Sequence, residues 1–417
     1  MKVYKFGGAS IATPERMEAM VPIILQESGP LVLVVSALGK TTNALENIVN
    51  RVYKGDLVEA IIMLKELEQQ HLAYEEVFQT GTIPKRLFPY FLAVAENISA
   101  SKGMGYDQIY DAIVSAGELF STLILASLLE KRGLAVQWLD ARNLIKTDDT
   151  YRDGAVDLQT SKMLVESTIF PALNAGNIVL TQGFIGSTPQ GNATTLGREG
   201  SDYTAALLAS MLGAESVTIW KDVDGFRNAD PKQFANTVKI DAISYNEVIE
   251  MAFYGAQIIH PKTIKPLQNN NIPLYVKCFL DSSLEGTVIK GEVDAANYPP
   301  LIVLKDNQVL VQVTTRDFSF ITEDNLSKIY GIFHSLKIKI NIIQNAAISF
   351  IASIDNREDK ISALLPALGR DYKVHTNTGV QILTIRYFNA GIFEELTAGR
   401  QILLKQETRK TIQVVMK

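Results

Sequence analysis

The chain has 417 residues, of which 47% are hydrophobic and 20% are charged, and its formal net charge is −5. This mix is that of a globular protein with large cores, and it excludes a disordered chain or a fibrous repeat. The negative net charge argues against a general nucleic-acid or membrane-surface binder, which needs a basic excess. The one cysteine, Cys278, excludes a disulfide framework and a cysteine-ligated metal site, and it favours a reducing compartment.

The sequence also lacks targeting signals. No apolar run approaches the roughly 18 residues of a membrane span, and the first ten residues, MKVYKFGGAS, contain no apolar core of a signal peptide. We therefore expect a cytoplasmic protein with no membrane and no nucleic-acid partner. At roughly 100–200 residues per domain, the length predicts two to four domains.

Strand and helix patterns alternate as far as about Gly286. A strand at Val3–Phe6 runs into two glycines, and Thr13-Pro14-Glu15 then opens a helix with a capping hydroxyl and a proline at the first position. Leu31–Val35 is a continuous apolar run, which is typical of a strand buried on both faces of a parallel sheet. The other predicted elements are helices at 43–53, 57–77, 107–131 and 203–212 and strands at 135–140, 178–183 and 217–221. The alternation predicts an open three-layer α/β/α sandwich.

The pattern changes after the proline pair at 299–300. Predicted strands at 309–315, 338–343, 348–354 and 372–376, with helices at 323–336 and 357–368, have the βαββαβ order of a ferredoxin-like α+β module. The remainder predicts a strand at 380–388 and a hairpin at 401–416. We therefore expect domains at 1–295 and 300–378, followed by a shortened second module at 379–417.

Three glycine-containing turns stand between a strand and a helix, at 5–10, 36–42 and 197–202. Each puts free backbone N–H groups and a helix N-terminus at the carboxyl end of a strand, where open α/β sheets bind ligands and where anions are favoured. One such turn is weak evidence, because glycine also simply lets a chain turn. Three turns, each with Lys or Arg, favour an anionic ligand.

Other motifs of nucleotide and metal binding do not fit. The second turn ends in GKT at 39–41, as a P-loop does, but Val34 occupies the first glycine position of that motif. No G-x-G-x-x-G fingerprint occurs, and the HRD and DFG elements of protein kinases are absent. The acidic segment 221–225 could lie near a metal–nucleotide complex or form a solvated turn, and it lacks the further ligands of a calcium loop. The four histidines are isolated, so no Ser/His/Asp constellation is predicted, and His260 before Pro261 is interpreted as a helix start.

Four motifs together resemble those of the aspartate kinases (aspartokinases). They are KFGG at 5–8, GREGSD at 197–202, DVDG with ADPK in 222–232, and GAQIIHP at 255–261. That family has the amino-acid-kinase fold, and the resemblance covers residues 1 to about 290 in order and spacing. The module after 300 is similar to the ACT domains that regulate the family. ACT modules usually associate side by side, so the resemblance also implies a homodimer through 300–417.

The resemblance implies a role for each matching residue. Lys5 matches the lysine that neutralises the transferred phosphate, and Asp202 matches the acid that organises the site. Glu118 matches the acid that holds the substrate's α-amino group, and Arg198 matches the arginine that pairs with its α-carboxylate. The remaining implied substrate-binding residues are Ser36, Thr42 and Ser201. The implied nucleotide-binding residues are Lys5, Gly7, Gly8, Ser10, Lys221, Asp222, Arg227, Lys232, Gln257 and Ile258.

The implied activity is transfer of the γ-phosphoryl group of ATP to the β-carboxylate of L-aspartate. The products are 4-phospho-L-aspartate and ADP, and the reaction opens lysine, threonine and methionine biosynthesis. The nucleophile is a carboxylate whose usual pKa is about 3.9, so it is ionised at neutral pH and needs no general base. Positioning and positive charge therefore supply most of the catalysis. Mg²⁺ would bridge the phosphates with few protein ligands. The alternatives are another enzyme of the same fold and a catalytically inactive ACT-containing amino-acid sensor.

The chain departs from the family pattern near the implied site. Ala9 replaces the threonine of KFGGTS, and Glu199 replaces a glycine of GRGGSD, which puts an extra carboxylate beside Arg198. That carboxylate could weaken substrate binding or point to solvent. Gln257 replaces a frequent lysine, and Arg227 stands where an aromatic residue often stacks on adenine, although a guanidinium plane can also stack.

A further departure lies in the ACT-like module. Gln344-Asn345-Ala346-Ala347 replaces a T-x-S-E-like stretch that contacts lysine in lysine-sensitive members. The methyl side chain of Ala347 cannot hold an amino group, which counts against inhibition by lysine. The sequence does not identify the effector.

Overall fold

The computed structural model describes residues 1–256, 259–294 and 298–417. The chain divides into two units. The first contains Met1–Phe226, Lys239–Ile249 and Ile258–Val293, and the second contains Arg227–Val238, Glu250–Gln257 and Asp294–Lys417. The predicted domains at 1–295, 300–378 and 379–417 stay predictions.

Up to residue 290 the described chain alternates between strands and helices. The strands are β1 (Lys2–Phe6), β2 (Leu31–Val35), β3 (Val136–Leu139), β4 (Ile178–Gln182), β5 (Ile185–Ser187), β6 (Ala193–Thr195), β7 (Ser216–Lys221), β8 (Phe226–Arg227), β9 (Lys239–Ile240), β10 (Ala242–Ser244), β11 (Leu274–Cys278) and β12 (Thr287–Lys290). The helices are α1 (Pro14–Leu25), α2 (Thr41–Tyr53), α3 (Leu57–Phe78), α4 (Ile83–Ala100), α5 (Tyr106–Val114), α6 (Ala116–Lys131), α7 (Leu158–Asn174), α8 (Gly200–Leu212), α9 (Tyr245–Tyr254) and α10 (Pro261–Asn269), with short 3-10 helices at Gly8–Ile11 and Ala141–Asn143.

Eight of these strands form one sheet in the order β10-β12-β11-β7-β1-β2-β4-β3. Neighbours run parallel except for the antiparallel pair β11 and β12. β2 is buried at all five positions, as a central strand between two helical layers must be. The α/β prediction is therefore confirmed, with the carboxyl ends of β7, β1, β2 and β4 side by side.

Side chains alternate between the two faces of β1. Tyr4 and Phe6 belong to a buried apolar cluster that also contains side chains of α1 to α6, and Phe6 stacks on Trp220 with ring centroids 6.0 Å apart. Lys5 therefore faces the other side of the sheet, on which α8 contacts β1. The alternation brings one lysine to the face that carries the first turn of α8.

The helix predicted at 107–131 is in fact two helices, α5 and α6, with Ser115 between them. By length and mean hydropathy, residues 106–131 are apolar enough to cross a membrane, although 94% of their most apolar 18-residue window is buried inside the protein. Every residue of α6 from Ala116 to Leu129 is buried. Its all-round apolar surface is therefore that of a helix packed inside the core.

The chain after residue 300 forms β13 (Leu301–Thr315), α11 (Glu323–Ser335), β14 (Ile340–Asn345), β15 (Ser349–Asp355), α12 (Glu358–Gly369), β16 (Tyr372–Arg386), α13 (Ala390–Thr397), β17 (Ile402–Glu407) and β18 (Thr411–Met416). The six strands make one antiparallel sheet in the order β14-β15-β13-β16-β18-β17.

The prediction of separate strands at 372–376 and 380–388 is wrong, because residues 372–386 form the single strand β16. The apparent break is Gly379, whose φ of +67° is a left-handed conformation. The pairing of β16 with β13 shifts register beside Gln308, so a bulge absorbs the irregularity without ending the strand. The predicted hairpin at 401–416 is confirmed as β17 and β18.

Candidate active site

The first two glycine turns pack directly on each other at the carboxyl ends of β1 and β2. The Gly39 N–H donates to the Gly8 carbonyl at 3.1 Å, and the Ser36 N–H donates to the Phe6 carbonyl at 3.1 Å. A Cβ on Gly8 would lie 2.5 Å from the carbonyl oxygen of Ala37, so no side chain fits there. Gly39 has a φ of +47°, which glycine adopts at little cost. The sequence brings two turns together because both contain glycine at the point of contact.

Lys5 and Asp202 form a buried ion pair beneath these turns. Lys5 Nζ lies 2.7 Å from Asp202 Oδ1, and Lys221 Nζ lies 3.9 Å from Asp202 Oδ2. Burial raises the pKa of Asp202, but the charges of Lys5 and Lys221 outweigh that effect and hold the pKa below its usual value. The carboxylate is therefore ionised and anchors two ammonium groups that arrive from neighbouring strands.

Glu118 lies in the first turn of α6 and is 3% exposed. The helix approaches the second turn closely because its neighbour is Gly117, whose Cβ would lie 3.2 Å from the Ala37 side chain. Burial raises the pKa of Glu118 to about 8, although the Ala37 N–H and the charge of Lys5 act in the opposite direction. Within the described residues, Glu118 Oε2 has no hydrogen-bond partner. Such a carboxyl group is prepared for a cationic ligand.

The two predicted hydroxyl residues of the second turn, Ser36 and Thr42, are half-buried. The turn is fixed by the neighbouring Thr41, whose hydroxyl lies 3.3 Å from His71 Nε2. His71 Nδ1 donates to the Leu67 carbonyl at 2.8 Å, so Nε2 accepts from Thr41. Burial lowers the pKa of His71 to about 4 and keeps the ring neutral. His71 appeared isolated in the sequence because its partner lies 30 positions away.

The third turn carries Arg198 and Ser201. Arg198 is exposed and makes no hydrogen bond or ion pair in the part of the chain that the structure describes. Ser201 is buried, and a Cβ on Gly183 would lie 2.4 Å from the Ser201 Cβ, so the end of β4 needs glycine. Glu199 has a φ of +54°, and its carboxylate accepts a hydrogen bond from the His260 N–H at 2.7 Å. The extra carboxylate therefore does not pair with Arg198. It is bound to the backbone of His260 and is not simply directed to solvent.

The residues predicted to bind nucleotide lie in different surroundings. Gly7 and Gly8 lie in the first turn, and the buried Ser10 hydroxyl donates to the Trp220 carbonyl at 3.2 Å. Lys221 ends β7, and Asp222 after it is exposed.

Two further predicted nucleotide-binding residues, Arg227 and Lys232, belong to the second unit. In the second unit, Arg227 Nη1 donates to the Thr237 carbonyl at 3.0 Å, and Lys232 is exposed. Gln257 and Ile258 lie outside the described residues.

One buried carboxylate near the third turn was missed in the sequence. Asp111 in α5 accepts from the backbone N–H groups of Arg152 and Thr195 at 2.9 Å and 2.8 Å, and from the Thr195 hydroxyl at 2.7 Å. Burial raises its pKa to about 6, and the hydrogen bonds only partly offset that rise. Asp153, next to Arg152, lies so close to Gly197 that a Cβ there would be 2.6 Å from its carboxylate. Asp111 thus holds a loop against the third turn.

The chain is similar to a family model, to curated relatives and to solved structures. Residues 1–278 match the model of the amino acid kinase family. The chain is 32% identical to the lysine-sensitive aspartokinase 3 of Escherichia coli over 359 residues, which are 85% of this chain and 78% of the relative. Crystal structures of E. coli aspartokinase III with aspartate and ADP and with lysine and aspartate each have a TM-score of 0.83. Their identities are 28% and 27%, and they cover 100% of this chain and 96% and 95% of theirs. The chain therefore belongs to the amino acid kinase family and, within it, to the aspartokinases.

Proposed function

We propose that the chain transfers the γ-phosphoryl group of ATP to the β-carboxylate of L-aspartate, giving 4-phospho-L-aspartate and ADP. The observation that carries this proposal is the buried Lys5 ammonium, held 2.7 Å from Asp202 at the adjoining ends of β1 and β2. A compact ammonium in a water-poor site stabilises a moving phosphoryl oxygen strongly. Asp202 keeps that ammonium in place.

Aspartate would be held by its α-ammonium and α-carboxylate groups, each facing a side chain of opposite charge. The Glu118 carboxyl has an oxygen with no hydrogen-bond partner in the described chain, and it suits the α-ammonium group. The exposed guanidinium of Arg198 suits bidentate binding of the α-carboxylate. Ser36, Thr42 and Ser201 would supply hydroxyl groups around the substrate. The β-carboxylate is then left to attack the phosphate near Lys5.

The nucleotide would enter as its magnesium complex. The backbone N–H groups of the first turn and the ammonium groups of Lys5 and Lys221 are suited to phosphate oxygens. No group of three or more His, Cys, Asp or Glu residues that could hold a metal occurs in the described ranges. Mg²⁺ would therefore be held mainly by the phosphates of ATP, with few protein ligands. Asp222, Arg227, Lys232, Gln257 and Ile258 remain proposed nucleotide contacts.

The test is a product assay with a panel of acceptors. Purified protein is incubated with MgATP and L-aspartate, glutamate, acetylglutamate, carbamate or UMP, and ADP formation is followed. The acyl phosphate is trapped with hydroxylamine, which converts it to a hydroxamate. We expect turnover with aspartate alone. Turnover on another acceptor and none on aspartate would refute the proposal.

We also infer that the second unit joins two copies of the chain. Its six-stranded sheet ends in β14 on one side and β17 on the other. Edge strands present unpaired backbone groups that favour pairing with another strand. A homodimer through this sheet would satisfy them.

A further inference from the structure

Arg198 stands on a turn that its own side chain does not stabilise. The guanidinium is exposed and unpaired in the described chain, and the preceding Gly197 has a φ of +75°. A flexible turn would let the guanidinium sample many positions and would weaken binding of a small carboxylate. Something outside residues 197–198 must therefore fix the turn.

The first fixed point is Glu199. Its carboxylate accepts from the His260 N–H at 2.7 Å, directly before the start of α10. Its carbonyl accepts from the Tyr203 N–H at 3.1 Å, so the same residue also begins α8. A carboxylate is favoured at this place because a helix N-terminus carries partial positive charge. The Glu199 side chain thus binds the His260 N–H and does not pair with Arg198.

The second fixed point is Lys262, the second residue of α10. Its ammonium donates to the Leu196 carbonyl at 3.1 Å and to the Asp153 carboxylate at 2.8 Å. It also lies 4.9 Å from the ring centroid of Tyr203 in α8. Lys262 therefore contacts the chain before the Arg198 turn and the helix after it.

From these contacts we infer that residues 260–262 clamp the Arg198 turn from both sides. The Glu199 carboxylate is one half of the clamp and the Lys262 ammonium is the other. Glu199 is then a positioning residue for substrate binding, not a competitor of the substrate's α-carboxylate. The inference rests on the proposed role of Arg198 in binding aspartate.

Three substitutions at Glu199 separate charge, hydrogen bonding and backbone strain. Glu199→Gln removes the charge and keeps an acceptor oxygen, whereas Glu199→Ala removes the acceptor. Glu199→Gly also removes the acceptor but suits the φ of +54°. Lys262→Met removes the other half of the clamp and keeps the aliphatic stem.

The Michaelis constants for aspartate and ATP are measured for each variant, with melting temperatures as a check on folding. We expect the KM for aspartate to rise about 3- to 10-fold in Glu199→Ala, Glu199→Gly and Lys262→Met, as loss of a charge-assisted hydrogen bond implies. Glu199→Gln should stay within about twofold of wild type, and kcat and the KM for ATP should change less than the KM for aspartate. A raised KM in Glu199→Gly with an undiminished melting temperature excludes unfolding as the cause.

Three results would overturn the clamp. A fall in the KM for aspartate in Glu199→Gln would mean that the carboxylate competes with the substrate, and an unchanged KM in Glu199→Ala would mean that nothing is positioned. Hydrogen exchange at the His260 amide gives a readout without turnover: exchange should quicken in Glu199→Ala, and equal exchange would refute the clamp. A wild-type protein inactive on aspartate would instead refute the proposed function.

Discussion

At the scale of single residues, the Lys5–Asp202 pair decides how the site works. Removing both charges from water costs several kcal/mol, so a buried ion pair adds little net stability. Lys5 lies near the carboxyl end of β1 and Asp202 lies in the first turn of α8, and the charge of Lys5 also acts on the acidic Glu118. The pair thus places an ammonium where it is useful for catalysis. Its value therefore lies in the electrostatic field at the reacting phosphate.

Replacement of Lys5 tests this directly. Lys5→Met should lower kcat by at least ~10²-fold. It leaves the buried Asp202 carboxylate with Lys221, 3.9 Å away, as its remaining ion-pair partner in the described chain, which costs up to about 3–5 kcal/mol of unfolding free energy. Lys2→Met is the matched control on the same strand, because Lys2 forms a partly exposed pair with Glu27 at 2.8 Å worth less than ~1 kcal/mol. Kinetics and denaturant unfolding measure both. A Lys5→Met enzyme with kcat within a few-fold of wild type would remove Lys5 from the mechanism.

Glu118 predicts a pH dependence of substrate binding. Its carboxyl group is protonated below a pKa of about 8, mainly because it is buried, and only the ionised form pairs with the α-ammonium group of aspartate. The KM for aspartate should therefore fall as the pH rises from 6 to 8, and binding should release a proton that calorimetry in two buffers detects. Glu118→Gln should raise the KM and flatten its pH dependence. A wild-type KM that does not change over this range would contradict the assignment.

Several of these residues can be found from the sequence and others cannot. Lys5 follows from a short strand that ends in two glycines, and Arg198 and Asp202 follow from their motif. The hydrogen bonds from His260 to Glu199 and from Thr41 to His71 join residues 61 and 30 positions apart. No local pattern predicts such pairs, because they exist only after the helices have packed.

At the scale of elements, the site depends on how closely β1, β2 and α6 can approach. β2 was predictable as a short apolar run and β1 as a short strand that runs into two glycines. α4 was not predicted, because Pro89 lies in its interior, where proline usually ends a helix. The break between α5 and α6 was also missed, since apolar residues continue through Ser115.

Gly8 makes the contact between the first two turns possible. In Gly8→Ala the new Cβ would meet the Ala37 carbonyl oxygen at 2.5 Å. We expect kcat/KM to fall by at least ~10-fold from the displaced turn and the unfolding free energy to fall by about 1–3 kcal/mol. Kinetics and denaturant titration measure both quantities.

The control for that substitution is Gly331→Ala in α11. Gly331 is exposed and has nothing within 4 Å of its would-be Cβ. Alanine there should stabilise the protein by about 0.5–1 kcal/mol and leave activity unchanged. If Gly8→Ala behaved like this control, the two turns would not need their close approach.

At the scale of the whole molecule, the net charge of −5 hides a strongly positive site. Lys5 and Lys221 flank one buried carboxylate, and Arg198 is unpaired in the described chain. These local charges suit a nucleotide and a dicarboxylate, although the net charge of the whole chain is negative.

The proposed homodimer can be tested by measuring the mass of the protein in solution. Light scattering of the purified chain at micromolar concentration should give twice the chain mass of 46.0 kDa. A mass of 46.0 kDa under these conditions would count against association through the six-stranded sheet.

Inhibition by lysine is not expected, although a relative is named lysine-sensitive. Ala347 is exposed, its backbone carbonyl accepts from the Ile321 N–H at 2.9 Å, and its methyl side chain offers no acceptor for the amino group of a ligand. Lysine, threonine and methionine are each titrated into the kinase assay at millimolar concentration. Strong inhibition by lysine would show that other residues bind it.

The length of strands β13 and β16 determines how the second unit unfolds. Each has 15 residues, and their ladder runs from the pair Leu301 and Arg386 to the pair Thr315 and Tyr372. The junction proposed at residues 378 and 379 lies inside β16, so no flexible joint exists there at which a protease could cut or one half could melt alone. The sheet should therefore unfold as a single cooperative block, with slowly exchanging amides throughout both strands. An effector that loosens one end of this ladder should therefore also speed amide exchange at the other end.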